Sequence, residues 1–319
     1  MGPLPSFIEQ LPGNGFTSTY DRRSVLSRKC RRTPIHGKCL SLINVSSAVS
    51  ARLAVSSSCV PSGAVLLSMV NPYHSRLRDL QFSRLRESRC FMDRVVSVCF
   101  NYSDSLGTCV PAPHVEAARF RSGGYSDLLW AKWRFIADAL VAASMVLWVD
   151  ADVVLLRNPW ANIPLRGRQH LLYQPEHPPV EPMWRLGARE CVKQSTPRIN
   201  GGQILVRSAR FARQVAALRP LTHTSSNRDK LDQDYASELL YQWNYSHCLL
   251  PAGFRSQLWS QRRPNGKTAE DTQIFPLDHS SSCQLVTLHV NGQPSRLLKE
   301  RAMTAVLGFT TNCVQLTKN

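Results

Sequence analysis

The stretch SMVLWVDADVVLLRNPW, residues 144–160, predicts the centre of the fold. Five apolar residues, Met145–Val149, run without a polar break into Asp150-Ala151-Asp152, and the apolar segment 153–156 follows. A continuous apolar run this short, rich in valine and leucine, predicts a strand buried on both faces of a mostly parallel sheet. Ligands of open α/β sheets bind beyond the carboxyl ends of the strands, so two carboxylates emerging there are placed to hold a hard divalent cation.

The alternative for this acid pair is a structural role. An unpartnered carboxylate beside an apolar strand is costly to desolvate, so Asp150 and Asp152 each need a partner, either a metal ion or a lysine or arginine. A salt-bridged structural pair would meet this need without any ligand.

Length and composition place the chain among globular proteins. Its 319 residues are enough for an ample core, and 43% of them are hydrophobic. No apolar run approaches the roughly 18 residues needed to span a bilayer, so any membrane attachment is expected through an anchor absent from this chain. The net charge of +17 suits anionic ligands such as nucleotides, nucleic acid or acidic glycans, although solubility alone explains it equally well.

The N-terminal part differs in composition from the rest. Residues 1–62 are rich in serine, arginine and proline and carry eight lysines and arginines against two acids. We interpret residues 1–62 as a low-complexity basic segment, either a stem or a targeting sequence, and residues 63–319 as a single folded domain.

The cysteines and glycosylation motifs bear on the cellular compartment. Ten cysteines are spaced singly, without a C-x-x-C pair or a Cys/His cluster at zinc spacing. Sequons begin at Asn44, Asn101 and Asn244. Together with the even cysteine count they favour an oxidising secretory lumen.

Strand and helix patterns alternate along the chain. Apolar runs predict strands at 64–70, 94–100, 145–149, 171–173, 203–206 and 285–290. Helical spacing predicts helices at 74–89, from Tyr125-Ser126 with Ser126 as the N-cap, at 209–218 and at 232–243. This alternation predicts an α/β domain with a mostly parallel central sheet and flanking helices.

The order of several short motifs resembles one family of enzymes. The motifs are the helix with Tyr125 and Lys132-Trp133, VLWVDADVVLLRNP, Ile199-Asn200-Gly201-Gly202 before QILV, Asp232-Gln233-Asp234, and Leu288-His289-Val290-Asn291. Between about residues 64 and 301 the chain is similar to the nucleotide-diphospho-sugar transferases that include plant and algal arabinosyl-, xylosyl- and galactosyltransferases. The resemblance implies a GT-A-like, single Rossmann-type domain and retaining transfer of a sugar from a nucleotide-diphosphate donor to a glycan or glycoprotein hydroxyl.

The resemblance also implies a metal cofactor, Mn²⁺ or Mg²⁺, bound at the D-x-D motif. A departing nucleoside diphosphate gains negative charge, which a divalent ion bridging the phosphates neutralises. Asp150, Asp152 and His289 are the expected protein ligands, with Asp150 sharing the ion or meeting the ribose. Imidazole is an acceptable ligand for Mn²⁺, and the alternative for His289 is a structural histidine.

Further residues are assigned to the donor and the reaction by the resemblance. Lys132 is expected to contact the diphosphate or the sugar, and a solvated helix lysine is the alternative. Asn200 and Gly201 are expected at the donor, since an amide can bind sugar hydroxyls and glycine lets backbone approach a ligand; a plain turn before a strand explains the glycines equally well.

Asp232 and Gln233 are expected near the reacting carbon, although an acid in a first helical turn also compensates the dipole. Because glutamine would be an unusual nucleophile, retention can instead proceed with the leaving phosphate guiding the incoming hydroxyl on the same face, unlike the two-carboxylate glycosidase scheme.

Two other classes of protein fit parts of the sequence. The acid strand also resembles the first motif of haloacid-dehalogenase-like phosphatases, with Asp150 as nucleophile, Asp152 as acid/base and Ser208 as the second motif. In those enzymes that strand normally comes first in its domain, whereas here a βαβ unit precedes it. A non-enzymatic, basic nucleic-acid-associated protein would use the +17 charge, but clustered lysines and arginines with interleaved aromatics are absent.

The expected partners and compartment follow from the interpretation as a sugar transferase. They are a nucleotide-sugar donor and a glycan or glycoprotein acceptor, without nucleic acid, in the Golgi lumen, with a plastid or the cytosol as alternatives. The loop at 175–193, with Trp184 and Arg185, is a candidate acceptor contact.

Overall fold

The computed structural model describes residues 43–100, 106–112, 123–164, 167, 169–175, 198–222, 231–251, 253–256, 285–290 and 295–316. The strands are β1 (Ala64–Val70), β2 (Val95–Phe100), β3 (Cys109–Ala112), β4 (Met145–Val149), β5 (Val153–Leu155), β6 (Leu171–Pro175), β7 (Ile199–Val206), β8 (His247–Leu249), β9 (Phe254–Ser256) and β10 (Thr287–His289). The helices are α1 (Val45–Ala54), α2 (Ser75–Phe82), α3 (Arg89–Met92), α4 (Gly123–Ala139), α5 (Ala209–Thr222), α6 (Asp232–Gln242) and α7 (Arg296–Leu316), with 3-10 turns at Pro72–His74 and Pro159–Ala161.

The central sheet has seven strands in the order β3-β2-β1-β4-β7-β6-β8. Strand β7 runs antiparallel to β4 and β6, and every other neighbouring pair is parallel. The predicted α/β architecture, a mostly parallel central sheet with flanking helices, is therefore confirmed.

Strand β4 lies in the middle of this sheet, as its apolar sequence predicted. Val146 and Trp148 are buried in the core cluster that also contains side chains of α1, α4, α5 and α6. Leu147 and Val149 belong to the cluster on the other face, with Phe82 and side chains of β5 and β9. Both faces of β4 are covered, and the two acids lie at its end.

A second sheet of three strands, in the order β5-β10-β9, adjoins the first. A buried polar network fastens the two sheets together. Gln203 donates from Nε2 to Gln174 Oε1 and to the Arg255 carbonyl, both at 3.0 Å, and Thr287 donates to Gln203 Oε1. Because buried amides must find partners, this network fixes where β10 lies relative to β7.

Folded structure extends to the N-terminal side of residue 63. Helix α1 buries Val45 and Val49 in the main core, and Ser46 donates its backbone N–H to Asp138 in α4 at 3.0 Å. Cys59 forms a disulfide with Cys90. The helix was not expected, because its apolar stripe is only a few residues wide within a serine-rich stretch. The division at residues 1–62 and 63–319 otherwise stays a prediction, and residues 1–42 lie outside the described residues.

The single helix predicted at 74–89 is wrong, because the structure has the shorter helices α2 and α3 there. Helix α2 ends at Phe82, and the chain turns so that Phe91 of α3 packs near Phe82, with ring centroids 6.5 Å apart. The helical spacing of apolar residues continued past this turn and concealed it. Tertiary packing and the Cys59–Cys90 bridge, which periodicity does not report, account for the break.

One local prediction and one alternative interpretation also need correction. Helix α4 begins at Gly123, so Ser126 lies within it and not at its N-cap. Asn200-Gly201-Gly202 is part of strand β7 and not a turn before it. Glycine is a poor strand former, but the Gly202 carbonyl accepts from Asp150 N at 2.9 Å and extends the β4–β7 ladder.

Candidate active site

The backbone brings the two acids and His289 to one edge of the molecule. Asp150 follows β4, and the turn after it leads into β5, which pairs antiparallel with β10 so that Val153 lies opposite His289. Val290 N donates to the Asp152 carbonyl at 2.9 Å and extends that pairing by one residue. Asp152 and His289 are therefore neighbours because of strand register, which is insensitive to side-chain rotation.

Their side chains converge as well. Asp150, Asp152 and His289 offer ligand atoms that all lie within 4.8 Å of one another. His289 Nε2 lies 3.2 Å from Asp152 Oδ1, while its Nδ1 is buried and has no hydrogen-bond partner in the described part of the chain. Two carboxylates and one imidazole are a donor set that Mn²⁺ accepts, so these residues fit a divalent cation.

Asp152 also has a cationic partner, as the structural alternative required. Lys299, in the first turn of α7, forms an ion pair with Asp152 Oδ2. Burial alone would raise the pKa of Asp152, but Lys299 and then His289 outweigh burial and hold this pKa well below its usual range. Asp152 is thus ionised at neutral pH, which is the state a metal ligand needs.

Two hydrogen bonds position Asp150, one to its side chain and one to its backbone carbonyl. Trp148 Nε1 donates to Asp150 Oδ1 at 2.7 Å, and Gln81 Nε2 donates to the Asp150 carbonyl at 2.7 Å. Burial raises the pKa of Asp150 and the charge of Asp152 adds to this, against the opposing effect of Lys132. A cation bound beside both acids would relieve that repulsion.

Lys132 is buried beneath the site and is not a solvated helix lysine. Its side chain is 2% exposed, and Nζ lies 2.7 Å from Asp232 Oδ2. Trp133 Nε1 donates to the same oxygen at 2.6 Å, and Lys132 donates to the Gly201 carbonyl at 3.3 Å. Burial alone would lower the pKa of Lys132, but the carboxylate of Asp232 outweighs burial and raises this pKa above its usual value. We refer to this buried Lys132–Asp232 ion pair, which contacts β7 at Gly201, as the charged floor of the site.

The site has a metal half, with Asp150, Asp152 and His289, and a Lys132 half, with Lys132, Asp232 and Gln233. Residues 200–202 of β7 connect the two halves. Gln233 Oε1 accepts from Gly201 N at 3.0 Å, and Asn200 Oδ1 accepts from Gly202 N at 3.0 Å. The structure thus brings together the residues predicted for the metal, the donor and the reaction, which are Lys132, Asp150, Asp152, Asn200, Gly201, Asp232, Gln233 and His289. Their chemical roles remain proposals.

Lys299 contacts the site, and His74 lies close enough to feel the charges of Asp152 and Lys299; neither residue was predicted from the sequence. Lys299 follows His289 by ten residues, and the basic side chains at the start of α7 were the signal that could have found it. Burial lowers the pKa of His74 to about 4, with Lys299 and Arg296 acting in the same direction against Asp152. His74 is therefore neutral at neutral pH.

One residue of the phosphatase alternative lies elsewhere. In the β4–β7 register Val206 pairs with Val146, and Val149 pairs with Gln203. Ser208, which caps α5 by accepting from Phe211 N at 3.1 Å, is therefore at the end of the sheet opposite to Asp150. Most of the loop at 175–193 lies outside the described residues.

The fold and site together define an α/β domain with a carboxylate–imidazole group at the carboxyl edge of its central sheet. No family model and no curated protein matches the sequence.

Similar solved structures include a glycosyltransferase involved in the glycosylation of the major capsid of PBCV-1, at 14% identity and a TM-score of 0.45, covering 76% of this chain and 98% of that one. They also include the bifunctional enzyme WbbM, described as a glycosyltransferase, at 13% identity and a TM-score of 0.47, covering 82% of this chain and 52% of that one. GlyE, a glycosyltransferase of Streptococcus pneumoniae TIGR4, has 13% identity and a TM-score of 0.41, covering 77% of this chain and 62% of that one. Similarity at this level does not define an activity.

The Lys299–Asp152 pair leads to a prediction about metal affinity. Because Lys299 and a divalent ion would share the carboxylate of Asp152, Lys299→Met should tighten Mn²⁺ binding by roughly tenfold, the equivalent of about 1.4 kcal/mol. Lys299→Arg keeps the charge and serves as the matched control. Titration with Mn²⁺, followed by the electron paramagnetic resonance of the free ion, measures both. Unchanged or weaker binding by Lys299→Met would contradict the competition.

Proposed function

We propose that this protein is a metal-dependent glycosyltransferase that moves a sugar, with retention, from a nucleotide-diphosphate donor to a glycan or glycoprotein hydroxyl. The observation that carries the proposal is the convergence of Asp150, Asp152 and His289 beside the buried Lys132–Asp232 pair. A carboxylate pair for a cation, flanked on both sides by lysines, suits a ligand with a diphosphate group.

Each group has a separate task in this proposal. Asp150, Asp152 and His289 hold Mn²⁺ or Mg²⁺, which when bound stabilises negative charge on the leaving diphosphate. Lys132 adds fixed positive charge from the floor of the site, where water is excluded and charges act strongly. Asn200 and the backbone at Gly201 are proposed to meet the donor, because an amide can bind sugar hydroxyls.

Gln233 and Asp232 are proposed at the reacting carbon without a covalent intermediate. The carboxylate of Asp232 already binds Lys132 and Trp133, so it is poorly placed to attack a sugar. Gln233 is a neutral amide whose oxygen accepts from Gly201 N. These contacts support a route in which the leaving phosphate guides the incoming hydroxyl on the same face, with Gln233 orienting the donor.

Donor profiling tests the proposal directly. The purified protein is incubated with Mn²⁺ and a panel of nucleotide sugars, and released nucleoside diphosphate and sugar transfer are scored. Release that depends on both the sugar nucleotide and the ion supports a transferase. Release of inorganic phosphate from phosphomonoesters, with no turnover of any sugar nucleotide, would favour the phosphatase alternative, and no turnover of either class would leave a non-enzymatic binder.

The compartment is proposed to be the Golgi lumen, and the cysteines support it. Cys59 pairs with Cys90 and Cys99 with Cys109, and Cys248 is also disulfide-bonded. Such bonds persist in oxidising compartments. Among the described helices, none combines the length and apolarity required of a membrane span.

This proposal predicts the behaviour of the thiols. Protein expressed through a secretory host should leave these five cysteines unmodified by a thiol reagent until it is reduced, because disulfide sulfurs do not react as thiolates. The exposed Asn44 and Asn244 are the sequons expected to carry glycans. Peptide mapping by mass spectrometry with and without reduction checks both. Reaction of every cysteine before reduction, with no sequon occupied, would instead favour a plastid or the cytosol.

A further inference from the structure

The two glycines of strand β7 face different halves of the site. A Cβ atom at Gly201 would lie 2.7 Å from Lys132 Nζ and 3.3 Å from Gln233 Oε1. A Cβ atom at Gly202 would lie 2.1 Å from His289 Cε1 and 2.4 Å from its Nδ1. Successive residues of a strand point to opposite faces, so Gly201 adjoins the Lys132 half and Gly202 adjoins the metal half.

Space, and not backbone conformation, is what requires glycine at these positions. In the described part of the chain only Gly63 and Gly107 are glycines with positive φ, so alanine can adopt the backbone of residue 202. Its methyl group, however, would overlap the imidazole of His289. That ring is buried and lies 3.2 Å from Asp152, so it cannot move aside without changing its distance to that carboxylate.

Gly202 is also bonded to the strand that carries the acids. Its carbonyl accepts from Asp150 N at 2.9 Å, and its N–H donates to Asn200 Oδ1 at 3.0 Å. One residue thus fixes the backbone of Asp150 on one side and adjoins the ring of His289 on the other. The position of its Cα sets how closely the carboxylates and the imidazole approach.

We propose that Gly202 is a positioning residue of the metal site. Because glycine has no side chain, the imidazole of His289 packs directly on the backbone of β7. This contact sets the imidazole at the distance from Asp150 and Asp152 at which all three residues can share a divalent cation. The inference rests on the proposed metal dependence. It assigns to Gly202 a role in cation affinity that is separate from the contacts of Gly201 with Lys132 and Gln233.

Mn²⁺ affinity of the purified protein, measured by electron paramagnetic resonance without any substrate, tests the inference. Gly202→Ala should weaken Mn²⁺ binding by about tenfold to a hundredfold, the usual effect of disturbing a group that orients a metal ligand. Gly308→Ala in α7 is the matched control: its methyl group would have no atom within 4 Å, so it should change this affinity less than about twofold. Circular dichroism melting of each variant verifies that it is folded.

A double-mutant cycle shows whether the effect passes through the imidazole. In the His289→Ala background the methyl group introduced by Gly202→Ala meets no ring, so this second substitution should weaken Mn²⁺ binding no further. Equal losses in both backgrounds, or wild-type affinity of Gly202→Ala, would overturn the inference. If Gly202→Ala does not fold alone, recovery of folding in the double variant supports the same contact, and failure to recover opposes it.

The same titration separates this inference from the function on which it rests. If the wild-type protein itself binds no Mn²⁺ or Mg²⁺, the proposed metal dependence fails, and the role of Gly202 fails with it. If the wild type binds Mn²⁺ and only the Gly202 comparison gives no difference, the metal-dependent function stands and the positioning role alone is wrong.

Discussion

Asp152→Asn is expected to lower the rate of sugar transfer by at least about a hundredfold. The substitution keeps the shape of the side chain but removes its charge, and with it the stabilisation of the leaving diphosphate, which should cost several kcal/mol. Asp152 is the acid to choose because it contacts His289 and also pairs with Lys299. Its loss changes the ligand set and leaves that lysine without its carboxylate.

Initial rates of nucleoside diphosphate release, with the best donor from the panel, measure this effect. Excess chelator should abolish turnover by the wild type, and added Mn²⁺ should restore it, whereas Asp152→Asn should respond weakly to the ion. Asp79→Asn is the matched control, since Asp79 is exposed on α2 and should retain wild-type activity. Full turnover in excess chelator would refute the role of the ion.

Local sequence was sufficient to predict the centre of the fold. Strand β4 and its two acids were predicted correctly because an unbroken apolar run reports burial on both faces. The end of helix α2 was not, because the turn after Phe82 depends on packing against Phe91 and on a disulfide. Hydrophobic periodicity describes one helix or strand at a time, so it cannot predict where contacts with a neighbouring element end a helix.

In the candidate site, too, the features that depend on tertiary contacts could not be predicted from local sequence. The proximity of His289 to Asp152 was expected only from the resemblance, since it arises from pairing between β5 and β10, which are far apart in sequence. The glycines of β7 were equally consistent with a turn, because their sequence does not say which side chains press against them. Lys299 was missed because its reach to Asp152 depends on where α7 begins relative to the sheet.

Lys132→Met is expected to destabilise the fold by about 3–5 kcal/mol, the usual cost of removing one partner of a buried ion pair. Asp232 is 2% exposed, so without Lys132 its carboxylate would keep Trp133 as a partner but lose its countercharge. The raised pKa of Lys132 gives the sign of the pH dependence. The contribution of the pair is complete below the usual lysine value of 10.5 and is lost as the pH rises through the higher pKa of the folded state.

Urea unfolding at neutral pH, with the disulfides kept intact, measures this cost. Adding Asp232→Asn to Lys132→Met should recover much of the lost stability, because the neutral amide can still accept from Trp133 Nε1 without a buried charge. Lys299→Met is the matched control, since that lysine is 21% exposed and water can compensate for part of its pair with Asp152, so its cost should be much smaller. If the losses from Lys132→Met and Asp232→Asn simply add in the double variant, the two groups do not stabilise each other. Lys132 would then have to be held in the core by other contacts, and the charged floor proposed for the donor site would be wrong.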